Sequence, residues 1–149
     1  MDTLTSGIDV LFIAGFGPIT TSAPDSAAFY VDMLQLPLKP YPDNPDYLLT
    51  DALDGAKHFA LWPLAQASES CFGDERWPEQ YPVPQSWLEF EVSDLADATQ
   101  RLKQQGISLL VENRLEPWQQ RVTRFLSPEG ILVGLTVTPW LRQPDDTQR

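Results

Sequence analysis

The sequence contains few of the residues that most often carry metal binding and covalent chemistry. Its 149 residues include one cysteine, Cys71, and one histidine, His58. A single cysteine excludes an internal disulfide and the zinc sites built from several cysteines. No basic cluster surrounds Cys71 in the sequence to activate its thiol, and no GxSxG nucleophile motif occurs. Hydrolysis through a Ser/His/Asp triad is therefore set aside.

Basic residues and long apolar runs are also scarce. Ten Lys and Arg residues stand against 21 Asp and Glu residues, a formal net charge of −11. Phosphate backbones are repelled by such a field, so we expect no nucleic-acid partner, whereas a cationic small molecule would be favoured. The alternative is that the acidity serves solubility alone. No run approaches the roughly 18 apolar residues that span a bilayer, and the start, MDTLTSG, lacks a basic signal region. We expect a cytoplasmic protein with no membrane partner.

Residues 87–139 show a clear order of predicted elements. WLEFEV alternates between the two faces of a strand, with Trp87, Glu89 and Glu91 on the side away from the following helix. Asp94 is a suitable helix N-cap, and Gly106 stands where a helix ends in the left-handed conformation. Three β-rich runs follow, and SPEG forms the turn between the last two. The order is strand, helix and three strands.

The first half repeats this order. A strand in DVLFIAGFGPIT is interrupted by Gly17 and Pro18, which predicts an edge position, a bulge or an early end. A helix capped by Ser22 follows, then a short strand and a hairpin that turns through Asp54–Gly55. Ser22 aligns with Asp94 and Gly55 with Gly130, at offsets of 72 and 75 residues, so we predict an internal duplication.

The connection between the halves is long for a compact domain. It contains Trp77, Tyr81 and several prolines, which argue against disorder. A short helix followed by an ordered strap over the neighbouring sheet is expected.

The segments EVSDLADA, QQGI, EPWQQRV and SPEG, together with the helix pattern AFYxDxL, resemble the vicinal oxygen chelate superfamily. This superfamily includes glyoxalases, extradiol dioxygenases and bleomycin resistance proteins. The resemblance implies an α+β fold in which two βαβββ modules form a cupped mixed sheet. The expected single domain comprises a first module at 8–64, a connection at 65–85 and a second module at 86–140. It also implies a homodimer.

The resemblance further implies where a metal would bind. Members usually hold a divalent ion at the base of the cup, with one His or Glu ligand from the first and the last strand of each module. Three of the matching positions here are Gly15, Trp87 and Gly134, none of which can coordinate a metal. The fourth falls near His58–Trp62. We therefore expect no cofactor and a closest likeness to the metal-free branch, in which bleomycin resistance proteins bind a cationic drug in a cleft.

Four residues are candidates for ligand binding in such a cleft. Trp62 and Trp87 would stack on a heteroaromatic or cationic ligand, and Glu89 would supply negative charge. Arg121 would pair with a glutamate or meet an anionic ligand group. Alternatively, the tryptophans fill a core that has lost its metal, and Arg121 covers Trp118 at the surface. The function predicted from these candidates is to bind or sequester a small aromatic or cationic molecule.

An enzyme is the alternative to a binding protein. His58, Glu89 and Glu91 could form an atypical metal site, although one histidine is a poor basis for one because catalytic zinc usually has three protein ligands. Glu89 or Glu91 could instead act in metal-free acid–base catalysis, because burial among aromatic groups would raise the pKa of a carboxyl. A lyase, isomerase or dioxygenase would then result.

Overall fold

A computed structural model describes residues 8–142. Within them a single mixed sheet of eight strands is accompanied by three helices, which confirms the α+β class. The strands are β1 Val10–Thr20, β2 Lys39–Tyr41, β3 Asn44–Thr50, β4 Phe59–Pro63, β5 Ser86–Val92, β6 Leu109–Leu115, β7 Arg121–Leu126 and β8 Leu132–Val137. The helices are α1 Ala23–Ala27, which continues as a π-helical segment over Ala28–Met33, α2 Leu64–Phe72 and α3 Leu95–Gln104. A 3-10 turn follows at Pro139–Leu141.

The order of strands is the same on both sides of the sheet centre. It runs β2-β3-β4-β1-β5-β8-β7-β6, with β1 and β5 antiparallel in the middle. Each central strand pairs in parallel with the last strand of its own half, β1 with β4 and β5 with β8. This arrangement relates the halves by an approximate twofold, as a duplication requires. The module bounds 8–64, 65–85 and 86–140 remain a prediction.

The expectation that Gly17 and Pro18 would leave β1 at an edge is wrong. The strand is central and continues to Thr20, with its irregularities nearer its start, between Val10 and Phe12 and between Ile13 and Gly15. Pro18 lies opposite Ser86, and the next residue, Ile19, donates its backbone N–H to the carbonyl of Gln85 at 2.9 Å. One missing donor is tolerated because the ladder resumes directly beyond the proline.

The local signals of the two halves act as their sequence predicts. Ser22 Oγ accepts from the backbone N–H of Asp25 at 3.3 Å, and Asp94 Oδ1 accepts from that of Asp97 at 3.0 Å. The helices begin at Ala23 and Leu95, directly after these capping residues. Gly55 and Gly130 both adopt positive φ, at 89° and 83°, a conformation that glycine adopts without a steric penalty.

The outer face of the sheet is covered unequally. On the β5–β8 side, Leu95, Ala98 and Leu102 of α3 pack against Val92 and Leu135. Neither α1 nor the π-helical segment has a buried residue, and their apolar side chains remain exposed at Phe29, Met33 and Leu34. The half before α2 therefore has a largely uncovered apolar helix.

The inner face curves around a second core into which α2 is inserted. Ala67 and Cys71 of α2 pack with Trp62, Trp87 and Val111 from the sheet. The segment after α2 is an ordered strap, held where the indole N–H of Trp77 donates to the carbonyls of Tyr81 and Pro82, each at 3.1 Å. A helix and a strap are what the connection was expected to form. Among residues 8–142, no helix is long and apolar enough to cross a membrane.

Candidate functional site

A cavity of about 710 Å³ lies on the inner face of the sheet, closed on one side by α2 and on another by the turn between β6 and β7. Aromatic side chains dominate its apolar wall: Tyr41, Tyr47, Trp62, Trp87, Trp118 and Trp140. Its charged lining consists of Asp51, Glu69, Glu75, Glu89, Glu116, Arg114 and Arg124. His58 also lines it.

The residues at the expected metal base do not fit a metal ion. The register pairs Phe16 with Phe59 and Glu89 with Gly134, so the first-module counterpart of Gly134 is Ala60. None of the four positions thus has a side chain that can coordinate a metal ion. A Cβ added at Gly15 would lie 3.0 Å from Trp87 Cη2 and 3.2 Å from His58 Cδ2, so ring atoms fill the space of that ligand.

The wider site offers no substitute set of metal ligands. No three His, Cys, Asp or Glu side chains within residues 8–142 are grouped to hold a metal ion. His58 and Glu89 line the cavity but Glu91 does not, so the atypical site made from these three is not assembled.

A continuous aromatic wall runs along one side of the cavity. The Tyr47 hydroxyl lies 3.0 Å from His58 Nε2, and the rings of Trp62 and Trp87 meet edge to face with centroids 5.8 Å apart. The Trp87 indole N–H donates to the carbonyl of Ala60 at 3.2 Å, which fixes the ring plane. Burial lowers the pKa of His58 and raises that of Tyr47, because both charged forms lose hydration. Both groups are uncharged near neutral pH.

A buried ionic cluster adjoins this aromatic wall. The guanidinium of Arg124 is 1% exposed and lies between Glu89 and Glu116, with N–O distances of 3.4 and 3.5 Å. Its Cζ is 4.8 Å from the centre of the Trp62 ring, within cation–π range. Glu116 also accepts a hydrogen bond from the hydroxyl of Ser70 on α2. The cluster therefore joins β5, β6–β7 and α2.

Gln120 holds Glu89 in place. Its Nε2 donates to Glu89 Oε1 and to Thr136 Oγ1, both at 2.8 Å, while its Oε1 accepts from the Trp118 indole N–H at 2.7 Å. Burial raises the pKa of Glu89, although Arg124 and the hydrogen bond from Gln120 oppose that shift. Glu89 is thus a fixed carboxyl in the cavity wall whose charged form is costly.

The cavity has an acidic excess that is concentrated at its mouth. Five carboxylates and two guanidiniums line it, a formal charge of −3. Glu89 and Glu116 are buried beside Arg124 and Arg114, so these four charges cancel. The remaining carboxylates, Asp51, Glu69 and Glu75, are exposed and carry the excess.

The structure brings together most but not all of the residues selected from the sequence. Trp62, Trp87, Glu89 and His58 line the cavity. Glu91 is fully buried beyond it, where its carboxylate accepts from the backbone N–H of Thr138 at 2.8 Å and from Arg142 Nε at 2.5 Å. A carboxylate already satisfied by these donors has no role in the cavity wall.

The structure places Arg121 outside the cavity, contrary to expectation. Alternation along β7 puts it on the face of Thr123, whose hydroxyl lies 2.6 Å from that of Thr99 on α3. The exposed Arg121 side chain donates to the carbonyl of Asn113 at 3.3 Å. Two other arginines, Arg114 and Arg124, line the cavity. A charged residue in the middle of the strand RVTRFL was the available signal for Arg124.

Comparison with known proteins supports the fold. Residues 16–135 match the family model of the Glyoxalase/Bleomycin resistance protein/Dioxygenase superfamily. Methylmalonyl-CoA epimerase from Mycobacterium tuberculosis is 21% identical, with a TM-score of 0.53 over 89% of this chain and 91% of that one. A member of this superfamily from Vibrio splendidus 12B01 is 19% identical, with a TM-score of 0.53 over 87% and 98% of the two chains. No curated protein matches significantly in sequence. The match over residues 16–135 shows that the chain belongs to the Glyoxalase/Bleomycin resistance protein/Dioxygenase superfamily.

Proposed function

We propose that this protein binds or sequesters a small planar aromatic cation in the cavity, without a metal ion. The observation that carries the proposal is that six aromatic side chains and a formal charge of −3 surround one cavity of about 710 Å³. A volume of this size is typical of small-molecule sites. None of the residues Gly15, Ala60, Trp87 and Gly134 has a side chain that can coordinate a metal, which supports a function that does not depend on the metal of the superfamily.

The two parts of the proposal rest on different groups. Indole and phenol rings attract a flat ligand through contact area and attract a cation through their negatively charged faces. The exposed carboxylates Asp51, Glu69 and Glu75 add a longer-range attraction, which salt screens over about 10 Å at 0.1 M. An uncharged ring would retain only the aromatic contact. An anionic ring would also be repelled by the exposed carboxylates.

A matched series of ligands tests the proposal by isothermal titration calorimetry at pH 8. N-methylquinolinium carries the charge, neutral quinoline has nearly the same shape, and quinoline-3-carboxylate reverses the charge. We expect the cation to bind most tightly and the anion most weakly, with the difference shrinking as salt is raised. Equal affinity for the three compounds, or no binding of the cation, would refute the proposal.

Substitution of one ring locates the binding site. Trp87→Ala should weaken binding of N-methylquinolinium by about 1–3 kcal/mol, the range for loss of an aromatic contact with cation–π character. The matched control is Trp77→Ala, because Trp77 is also a buried tryptophan but lies in the strap and does not line the cavity. An equal loss in both variants would indicate a general effect on folding.

Metal-free acid–base catalysis is a second candidate function. It is favoured by Glu89, a cavity-lining carboxyl whose pKa is raised by burial and which Gln120 fixes in position. Methylmalonyl-CoA, which is bound in a structural neighbour that is a methylmalonyl-CoA epimerase, is a suitable test substrate. Deuterium incorporation at its acidic carbon in D₂O, abolished by Glu89→Gln, would support this candidate. No incorporation above the rate of the Glu89→Gln variant would argue against it.

We also propose that the protein is a cytoplasmic homodimer. The support is the uncovered helix surface of Phe29, Met33 and Leu34, which are 47%, 60% and 49% exposed. Exposed apolar surface of this kind favours association. Sedimentation velocity at micromolar concentration should show a dimer, and Met33→Glu should shift it to a monomer.

A further inference from the structure

Arg124 has a hydrogen-bonding group that residues 8–142 leave unused. It lines the cavity and is 1% exposed, yet its Nε–H finds no acceptor among residues 8–142. Its other contacts are long: 3.4 Å to Glu89 and 3.5 Å to Glu116, where charge-assisted bonds usually measure 2.7–2.9 Å. A buried donor without a partner is costly and uncommon. This guanidinium can therefore gain from an acceptor that enters the cavity.

Glu89, beside Arg124, has unused accepting capacity. A carboxylate offers about four acceptor sites. In Glu89, Oε1 accepts from Gln120 at 2.8 Å and Oε2 from Arg124 at the longer distance. The side chain lines the same cavity, so a donor on a ligand can reach the remaining sites. An unused donor and a partly used acceptor thus stand side by side.

The local charge decides what kind of group can use both. Glu89 and Glu116 are paired with Arg124 and with the partly exposed Arg114, so these four groups have no net formal charge. A carboxylate would bring a third negative charge beside two carboxylates. An ammonium could donate to Glu89 but could not accept from Arg124. A neutral group that donates and accepts from adjacent atoms uses both.

We propose that the buried end of the cavity binds a primary carboxamide, or a lactam edge of the same pattern, on the aromatic ligand. Its N–H donates to Glu89 and its carbonyl accepts from Arg124 Nε. This inference rests on the proposed function and deepens it: the ring stacks on the tryptophans, the cationic charge is attracted by the acidic mouth, and the amide identifies the ligand class.

Derivatives of the same cation test this assignment by calorimetry at pH 8. N-methylquinolinium is compared with its 3-carboxamide, its 3-carboxylic acid methyl ester and its 3-carboxylate. The ester accepts but cannot donate, and the carboxylate accepts while adding a negative charge. We expect the carboxamide to bind about tenfold more tightly than the ester, since each hydrogen bond to a charged group contributes a factor of this order. The carboxylate should bind most weakly.

Two variants connect the preference to the named atoms. Arg124→Lys keeps the charge but removes the Nε donor, and Glu89→Gln removes the charged acceptor. Glu89→Gln should reduce the preference for the carboxamide over the ester from about tenfold to less than threefold, because only the carboxamide donates to Glu89. Arg124→Lys should keep that preference but remove most of the affinity that both compounds gain over unsubstituted N-methylquinolinium, because both carbonyls accept from Nε. Arg121→Lys is the matched control, because Arg121 lies on the same strand outside the cavity and should leave the preference unchanged. Because the readout is a ratio of two affinities for the same variant, a general loss of binding does not imitate it.

The outcomes separate this inference from the proposed function. If N-methylquinolinium binds in preference to quinoline but the carboxamide gains nothing over the ester, the amide assignment is wrong and the aromatic-cation proposal stands. If Glu89→Gln retains the full preference for the carboxamide, or Arg124→Lys retains the full advantage of both carbonyl compounds over N-methylquinolinium, the amide binds elsewhere and the assignment is also wrong. If none of the cations binds, both proposals are wrong.

Discussion

The substitution Arg124→Met tests how far the stability of the protein depends on the positive charge in the buried ionic cluster. Methionine keeps much of the side-chain volume and its contact with Trp62, but it removes the positive charge between Glu89 and Glu116. Removing one member of a buried ion pair usually costs about 3–5 kcal/mol, because the remaining charge is left in a poorly solvated place. Glu89 loses its charged partner and Glu116 keeps only the partly exposed Arg114 at 3.6 Å, while the hydrogen bonds from Gln120 and Ser70 compensate only in part. We expect a loss of about 3–5 kcal/mol in the free energy of unfolding at pH 8.

The pH dependence of this loss distinguishes charge from packing. Burial raises the pKa of Glu89 in the folded protein and Arg124 lowers it, so removing Arg124 raises that pKa further. A carboxyl whose folded pKa lies above its unfolded value destabilises the fold above the folded pKa. That penalty disappears as the pH falls through the folded pKa towards the usual value of 4.5. The loss should therefore be smaller at pH 5.5 than at pH 8.

Urea unfolding followed by tryptophan fluorescence measures both effects, with an unchanged m-value as the sign of comparable folded and unfolded states. The control is the triple variant Glu89→Gln/Arg124→Met/Glu116→Gln, which removes the uncompensated charges and should regain most of the lost stability. If Arg124→Met is as stable as the parent at pH 8, or loses more at pH 5.5, the cluster does not depend on charge compensation.

Two further predictions concern the aromatic side of the site. In Gly17→Ala the new Cβ would lie 1.9 Å from the Ala60 carbonyl oxygen, the acceptor for the Trp87 indole, so β1 and β4 must separate; we expect a loss above about 3 kcal/mol in urea unfolding. In Gly134→Ala the nearest atoms are side-chain carbons at 3.1 Å, so a distinctly smaller loss is expected, and equal losses would contradict this account. His58→Gln tests a pH effect: burial lowers the pKa of His58 below 6.5, so the parent should lose stability as the pH falls below that value. The His58→Gln variant should lack this pH-dependent loss of stability. If the free energies of unfolding of the parent and the variant run in parallel between pH 8 and 5.5, the prediction is wrong.

The sequence was sufficient for the elements because their signals are local. The caps at Ser22 and Asp94 and the turns at Gly55 and Gly130 each depend on a few neighbouring residues, and each formed as expected. Gly17 and Pro18 predicted an edge, a bulge or an early end because proline cannot donate to a sheet ladder. The glycine at position 17 is instead required by a long-range contact, because β1 approaches the backbone of Ala60 so closely that no side chain fits between them.

The site was less predictable because its charges are assigned by contacts between distant strands. Arg121 lies in the segment EPWQQRV that was singled out, and Arg124 lies two residues beyond its end on the opposite face of β7. Glu89 and Glu91 look equivalent along β5, yet Arg142 and Thr138 satisfy Glu91 while Glu89 faces the cavity. Such pairings join residues about 35 to 51 positions apart, and no local pattern encodes them.

The helix α2 is inserted between two similar halves of the sheet, so residues from both sides of it in the sequence line the cavity. Tyr47, His58 and Trp62 precede the inserted helix, whereas the ionic groups Glu89 and Arg124 follow it. They meet where the Arg124 guanidinium lies 4.8 Å above the Trp62 ring. In the proposed complex the ring contacts Trp62 before α2 and Trp87 after it, whereas its polar groups meet Glu89 and Arg124, both after α2. Substitutions on the two sides of α2 should combine additively in binding free energy unless they include residues that touch across it, such as Trp62, whose ring lies against Trp87 and Arg124.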